Sequence, residues 1–156
     1  KAFTVSFTLP LFIIANRKTL DAIKAAVPMI DDDCLVELPT GATAINGNIT
    51  VKSVKTNHDA AESVGYLIKT EGKTLGVFTD LGDFNQTIVD ALFECETAVI
   101  EANHDIEMLM NGPYPLPLKE RILGQFGHLS NIQSAELICK ASKGQWRRPF
   151  SLFFAA

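Results

Sequence analysis

The spacing of hydrophobic residues along the chain alternates between two periods. A short apolar run at residues 9–15 predicts a buried strand, and Leu20, Ile23 and Val27 then follow at helical spacing until Pro28 ends the pattern. Because later stretches repeat this alternation, we predict a layered α/β domain. Further strands are predicted at residues 34–38, 49–56, 64–69, 74–79 and 97–102, and further helices at residues 85–93, 106–110, 118–123 and 131–140.

Glycine and proline determine the expected connections. The Glu71-Gly72-Lys73 stretch lies between two strand patterns and predicts a hairpin turn. Residues 39–47 are expected to form turns, and the three prolines of residues 112–117 predict a rigid loop. The last residues have no clean period and do not predict the strand that the alternation would require. We therefore expect one domain over residues 1–140, followed by an atypical tail over residues 141–156.

Composition narrows the class of protein. The 156 residues are 47% apolar and 21% charged, which matches an average globular domain and excludes a disordered chain. No apolar run is long enough for a membrane-spanning helix, so no membrane partner is expected. Cys34, Cys95 and Cys139 form no CxxC pair, which indicates a reducing compartment, the cytoplasm, and predicts buried or half-buried thiols.

Charge is distributed unevenly along the chain. The formal net charge is −4, yet residues 31–107 contain fifteen Asp and Glu against four Lys. So acidic a middle repels nucleic acid unless cations are bound there. Two interpretations stay open, an ordinary solvated acidic face and a set of carboxylates that bind metal ions.

Three of the predicted strands end in residues that can bind metals. His58 and Asp59 follow one strand, Asp80 follows a second, and His104 and Asp105 follow a third. Taken singly, a strand-end Asp usually caps a helix and a lone His usually makes only hydrogen bonds. Loops at strand ends converge in layered α/β folds, however, so together these residues suggest a metal site. Imidazole and carboxylate donors suit Zn, Mn or Fe.

The middle of the chain also contains five segments in a recognisable order. The segments are residues 57–66, 76–82, 100–105, 111–115 and 127–131, which read NHDAAESVGY, GVFTDLG, IEANHD, NGPYP and GHLSN. They resemble the YycJ/WalJ branch of the metallo-β-lactamase-fold hydrolases, dinuclear metal phosphodiesterases related to RNase Z and to PhnP-type phosphodiesterases. The resemblance covers residues 55–140 and implies the metallo-β-lactamase αβ/βα sandwich.

The resemblance implies roles for individual residues. His58 would be a metal ligand, and Asp80 would be the carboxylate that bridges two divalent metal ions. His128 would contact the scissile phosphate or protonate the leaving oxygen. Four further residues are expected to lie beside the site and to position the ligands, namely Asp59, Glu101, His104 and Asp105.

Two parts of the family pattern are absent from this sequence. The HxHxDH motif, expected just before residues 9–15, is missing, and the tail around Trp146 stands where the last His ligand is expected. His58 and Asp80 alone cannot close a two-metal site. We therefore expect an incomplete domain, an internal portion of a family member, that binds metal weakly and turns over little.

The reaction implied by the resemblance is hydrolysis of phosphodiesters, with DNA exonuclease action expected. The basic stretch of residues 119–148 would meet the phosphate backbone. Two alternatives stay open. The chain could be a non-catalytic interaction module that associates with other chains through exposed sheet edges. It could also be a metallo-hydrolase that acts on a small molecule, because the fold hosts several such activities.

Overall fold

The computed structural model describes residues 12–142 and 150–155, and the described chain divides into two compact units after Pro39. In the first unit, strands β1 (Ile13–Ala15) and β2 (Leu35–Glu37) pair in parallel. Helix α1 (Arg17–Ala26) connects them, and the Asn16 side chain accepts a hydrogen bond from the Thr19 amide at 3.0 Å, which caps the helix. The predicted strand of residues 9–15 is confirmed at its end, and its first residues lie outside the described part.

A six-stranded mixed sheet forms the second unit. The strand order follows the chain, β3-β4-β5-β6-β7-β8. Neighbouring strands from β3 to β6 run antiparallel, whereas β7 and β8 are added in parallel. The strands are β3 (Thr43–Asn46), β4 (Ile49–Lys55), β5 (Val64–Thr70), β6 (Lys73–Phe78), β7 (Thr97–Glu101) and β8 (Ser151–Ala155).

Four helices belong to the described residues of this second unit. They are α2 (Gln86–Phe93), α3 (Ile106–Asn111), α4 (Leu116–Leu123) and α5 (Asn131–Ser142). Helices α2 and α5 pack against each other, and α2 also contacts β4. Phe78, Leu92, Ile100, Leu129 and Leu137 are fully buried in the core between these helices and the sheet. Each of the helices predicted after residue 80 is confirmed, and burial of one apolar face accounts for the positions of α2 and α5.

The hairpin predicted at Glu71-Gly72-Lys73 is confirmed. Thr70 of β5 pairs with Lys73 of β6, so Glu71 and Gly72 form a two-residue connection. Both have positive φ, 50° for Glu71 and 75° for Gly72. Two consecutive left-handed residues are the backbone that the right-handed twist of a hairpin favours.

Several sequence predictions are wrong. Strand β3 occupies residues expected to form only turns, and α4 begins at Leu116 within the expected proline loop, since proline is tolerated in the first helical turn. The tail, in which no strand was predicted, contains strand β8, and this strand pairs in parallel with β7. Cys139 is exposed, whereas Cys34 is half-buried and Cys95 is buried.

None of the helices within the described residues is long and apolar enough to span a bilayer.

Candidate metal centre

Three loops bring two histidines and a carboxylate together. His58 follows β4, Asp80 follows β6, and His128 precedes α5. The first two loops are joined by backbone pairing, because the Gly82 amide donates to the Asn57 carbonyl at 2.6 Å. The sequence predicted that the loops of His58, Asp80 and His104 would converge, whereas the group of donors in the structure is completed by His128 and does not include His104.

His58, Asp80 and His128 form the only group of three metal-binding side chains found among the described residues. One ligand atom of each lies within 4.8 Å of the other two. The His58 side chain is 11% exposed, that of His128 is 23% exposed and that of Asp80 is 58% exposed, so the group opens to solvent on the Asp80 side. The two imidazole rings lie 4.8 Å apart at a tilt of 52°. Two imidazoles and a carboxylate are a donor set that suits a divalent transition metal.

The orientation of His58 is suited to a metal ligand. Its Nδ1 lies 2.8 Å from the Gly127 carbonyl oxygen, which can only accept, so Nδ1 carries the proton. The lone pair is then on Nε2, which lies 3.7 Å from Asp80 Oδ1. A backbone carbonyl that fixes the tautomer of a ligating histidine is a common feature of metal sites. A side chain at Gly127 would collide with the Arg121 and Ile122 carbonyls, so the packing of this loop against the end of α4 requires glycine.

His128 is held by a buried carboxylate. Its Nδ1 lies 2.5 Å from Oε1 of Glu101, the last residue of β7. The other carboxylate oxygen of Glu101 accepts hydrogen bonds from the backbone amides of Leu81 at 3.0 Å and Leu129 at 3.2 Å. The Ser134 hydroxyl donates to the Glu101 backbone carbonyl. Glu101 is only 2% exposed, and these contacts offset the cost of burying its charge.

Asp59 lies on the other side of His58. One oxygen of Asp59 lies 3.4 Å from His58 Nε2, and the other accepts a hydrogen bond from the Arg121 Nε at 2.5 Å. This bond with Arg121 holds the pKa of the Asp59 carboxyl below its ordinary value. The same contact raises the pKa of Arg121. Asp59 therefore stays ionised and contributes negative charge beside His58.

His104 and Asp105 lie outside the group of donor atoms. The Asp105 carboxylate accepts from the Met108 amide at 2.9 Å and caps α3, which is the simpler explanation that a strand-end Asp usually has. The two ring nitrogens of His104 are buried and have no hydrogen-bond partner within the described residues. Burial, and next the nearby His128, lower the pKa of the His104 imidazole, which favours its neutral form.

Sequence reasoning did not identify two contributors to this centre. Arg121 is 62 residues from Asp59, and the Gly127 carbonyl is 69 residues from His58. Both precede His128 in the chain, within or next to the segments that carry the family resemblance. The local sequence does not predict the partner of either group. In particular, the sequence around Arg121 is the same as that expected for an ordinary exposed Arg on a helix.

Curated relatives share this part of the chain. Exodeoxyribonuclease YycJ of Bacillus anthracis is 33% identical over 129 residues, which is 83% of this chain and 48% of the relative. Exodeoxyribonuclease WalJ of Streptococcus pneumoniae is 32% identical over 130 residues, 82% of this chain and 48% of the relative. The chain thus spans about half the length of the curated relatives it matches. No family model matches the chain.

Solved structures show the same fold. A diphosphatase of the PhnP family has a TM-score of 0.60 at 13% identity, covering 94% of this chain and 56% of that protein. The short form of human tRNase Z has a TM-score of 0.54 at 14% identity, covering 87% and 57%. The metallo-β-lactamase-fold protein YhfI of Bacillus subtilis has a TM-score of 0.51 at 11% identity, covering 91% and 61%. The fold predicted from the five segments is confirmed.

Proposed function

Because this chain is a metallo-β-lactamase-fold relative of YycJ and WalJ over about half of their length, we propose that it contributes part of the centre of a metal-dependent phosphodiester hydrolase. The observation that carries the proposal is the convergence of His58, Asp80 and His128 within 4.8 Å. No one of these residues would be informative alone, whereas three donors from three loops at one edge of a sheet are typical of a metal site.

His58 and Asp80 would hold the metal. His58 offers Nε2, since Nδ1 is bound to the Gly127 carbonyl, and Asp80 offers a carboxylate that is largely exposed and able to reach a second ion. Divalent ions such as Zn, Mn or Fe would, when bound, polarise the phosphate and activate a water molecule for attack on phosphorus. Two donors are fewer than two ions require, so the chain by itself would bind metal weakly.

His128 would protonate the leaving oxygen. Its Nδ1 is bound to Glu101, which leaves Nε2 as the ring atom available to a substrate. The Glu101 carboxylate orients the imidazole and balances the positive charge of its protonated form. Glu101 does not touch the substrate in this proposal; it acts through His128 as a positioning residue.

DNA is the substrate that we propose, with removal of terminal nucleotides as the reaction, because YycJ and WalJ are named exodeoxyribonucleases. Two cations of the basic stretch are already engaged within the chain. Arg121 binds Asp59, and the Lys119 ammonium donates to the Met110 carbonyl at 2.6 Å. The Lys140 ammonium lies over the Phe84 ring, 4.9 Å from its centroid. The basic residues at 143–148 lie outside the described part, and their contact with the phosphate backbone stays a prediction.

The proposal is tested with one substitution and one matched control. Asp80→Asn keeps the size of the side chain and removes a charged metal donor, so we expect the affinity for Mn²⁺ or Zn²⁺ to fall by at least about tenfold in calorimetry. Asp90→Asn, the same change on the exposed surface of α2, should leave the metal affinity unchanged. Labelled single-stranded and nicked DNA report hydrolysis, which is expected to be slow and to be lost with Asp80→Asn. Equal metal affinity in both variants would overturn the metal centre.

A further inference from the structure

A guanidinium group lies at the edge of the candidate metal centre. Arg121 is in the last turn of α4, and its side chain is 57% exposed. Its Nε donates to one oxygen of Asp59 at 2.5 Å, and the other oxygen of Asp59 lies 3.4 Å from Nε2 of His58. A single carboxylate therefore separates this cation from the nitrogen that His58 offers to a metal.

The contact with Asp59 uses only part of the guanidinium of Arg121. An arginine has five N–H donors in one plane, and Asp59 accepts from the one on Nε. The donors on the two terminal nitrogens have no partner among the described residues. Because the bond to Asp59 restricts rotation of the plane, these donors lose little conformational freedom when an anion binds them. Two such donors side by side match two oxygens of a phosphate.

The turn after α4 holds Arg121 in a fixed relation to both histidines of the centre. The His128 amide donates to the Ile122 carbonyl at 3.0 Å, so His128 follows the end of the helix closely. The Asp59 amide donates to the Phe126 carbonyl at 3.0 Å, which connects the same turn to the other histidine loop. Groups that act on one substrate must be held in such a fixed arrangement.

The surroundings of Arg121 are acidic. Oxygens of Asp59 and Asp80 lie 3.4 and 3.7 Å from Nε2 of His58. In a metal-dependent hydrolase, the metal offsets this charge for the scissile phosphate, but the next phosphate of the strand would still meet negative charge. An exposed guanidinium at the edge of the centre reduces that repulsion.

We propose that Arg121 binds the phosphate of the DNA strand next to the scissile one, through its two terminal nitrogens. The inference rests on the proposed function, which supplies DNA as the source of the phosphate. Asp59 is then a positioning residue, because it orients the guanidinium through Nε without touching the substrate. The subsite contains neither of the proposed metal ligands, so it can be tested without metal.

The test uses the chain in EDTA at low salt and follows the Arg121 Nε–H and the backbone amides by NMR. The ligand is a thymidine tetranucleotide, and the control ligand is its methylphosphonate analogue, which has the same bases without the backbone charges. We expect the tetranucleotide to shift the Arg121 Nε–H and the amides of residues 121–128, and the analogue to leave them unchanged.

Substitution of Arg121 measures the contribution of the guanidinium. Arg121→Gln should weaken binding of the tetranucleotide by about fivefold. It should also reduce the slope of log Kd against log salt concentration by about 0.7, the contribution of one phosphate of a single strand. Lys69→Gln is the matched control, because Lys69 also forms an ion pair, with Glu94 at 2.5 Å, but near the β5–β6 turn. It should change neither quantity.

A further variant separates phosphate binding from a purely structural ion pair. Asp59→Asn keeps an oxygen that accepts from Nε and removes a negative charge, so it should tighten binding of the tetranucleotide. Weakening as large as that of Arg121→Gln would make the ion pair structural and overturn the subsite. An absence of binding, or binding that Arg121→Gln does not change, would overturn it as well. Since metal is absent, the subsite and the metal centre tested by Asp80→Asn can fail separately.

Discussion

The two histidines of the candidate metal centre are each held in place by a hydrogen bond. His58 is fixed by a backbone carbonyl and His128 by a buried carboxylate, so their rings have little freedom to reorient. Restricted rings lose less conformational entropy when a ligand is bound, which is why such contacts surround metal and catalytic histidines. Such a histidine can either bind a metal or transfer a proton, and the two roles predict different effects of substituting His128.

Substitution of His128 by Gln distinguishes these roles. If His128 is a proton donor, as we propose, His128→Gln leaves Mn²⁺ affinity near the wild-type value, while residual phosphodiester hydrolysis falls by about 100-fold or more. Calorimetry and a chromogenic phosphodiester assay measure the two quantities on one sample. A loss of metal affinity comparable to that of Asp80→Asn would instead make His128 a third ligand.

A second prediction at the residue scale concerns the ion pair beside His58. Arg121→Ala removes the group that lowers the pKa of Asp59, so that pKa should rise towards its ordinary value of 3.8. A lowered pKa in the folded state stabilises the fold above pH 3.8, and the contribution is lost as the pH falls through the lowered value. The stability advantage of wild type over Arg121→Ala should therefore shrink as the solution is acidified below this pH.

Carbon-detected NMR of the Asp59 carboxyl measures this pKa directly, and urea unfolding at several pH values measures the stability. Arg17→Ala is the matched control, because Arg17 also forms an ion pair with an Asp, Asp21, but in the first unit of the chain. It should leave the Asp59 titration unchanged. An unaltered Asp59 pKa in Arg121→Ala would contradict the contact.

At the scale of elements, the β5–β6 hairpin places β5 between β4 and β6, the two strands that precede the His58 and Asp80 loops. Strand β6 leads directly to Asp80, and β5 pairs with both β4 and β6. The turn of this hairpin contains an unfavourable backbone conformation. Glu71 has a φ of 50°, in the left-handed region that residues with a Cβ rarely occupy. The following Gly72 occupies the same region without steric cost.

Replacement of Glu71 should therefore stabilise the protein. Glu71→Asn creates the Asn-Gly pair that two-residue hairpins prefer, with an expected gain of about 0.5–1 kcal/mol in the free energy of unfolding. Chemical denaturation measures the change. Gly72→Ala, which places a Cβ at a φ of 75°, should shift stability in the opposite direction. A neutral or destabilising Glu71→Asn would mean that the turn is more strained, or more flexible, than its backbone angles indicate.

At the scale of the whole molecule, the sheet ends in an exposed apolar edge. Strand β8 pairs with β7 on one side and is the last strand of the sheet. Phe153 and Phe154 are each 59% exposed on it. An exposed edge strand with large apolar side chains favours association with another chain, which supports the alternative role as an interaction module.

Association through this edge is expected to depend on concentration. Phe154→Lys places a charge on the edge strand and should shift the chain towards monomer in size-exclusion chromatography with light scattering. Phe93→Lys, the same change at an exposed position of α2, should not. Oligomers that persist in Phe154→Lys would locate the association surface elsewhere, and a wild-type monomer at all concentrations would remove this edge from consideration.

The sequence by itself determined the local elements and the fold. Alternating periods predicted most helices and strands, because burial of one face requires that periodicity wherever the element packs. The Glu71-Gly72 turn follows from local backbone preferences, and five segments in order were sufficient to identify the metallo-β-lactamase fold. His58, Asp80 and His128 were predicted as site residues from the same segments, and the structure brings their side chains together.

Only the tertiary structure decided which distant groups meet. The contact of Glu101 with His128, and that of Arg121 with Asp59, each joins residues on separate elements, and no local pattern encodes such a pairing. Strand β8 is another example, because its place depends on the free edge of β7 and not on its own periodicity.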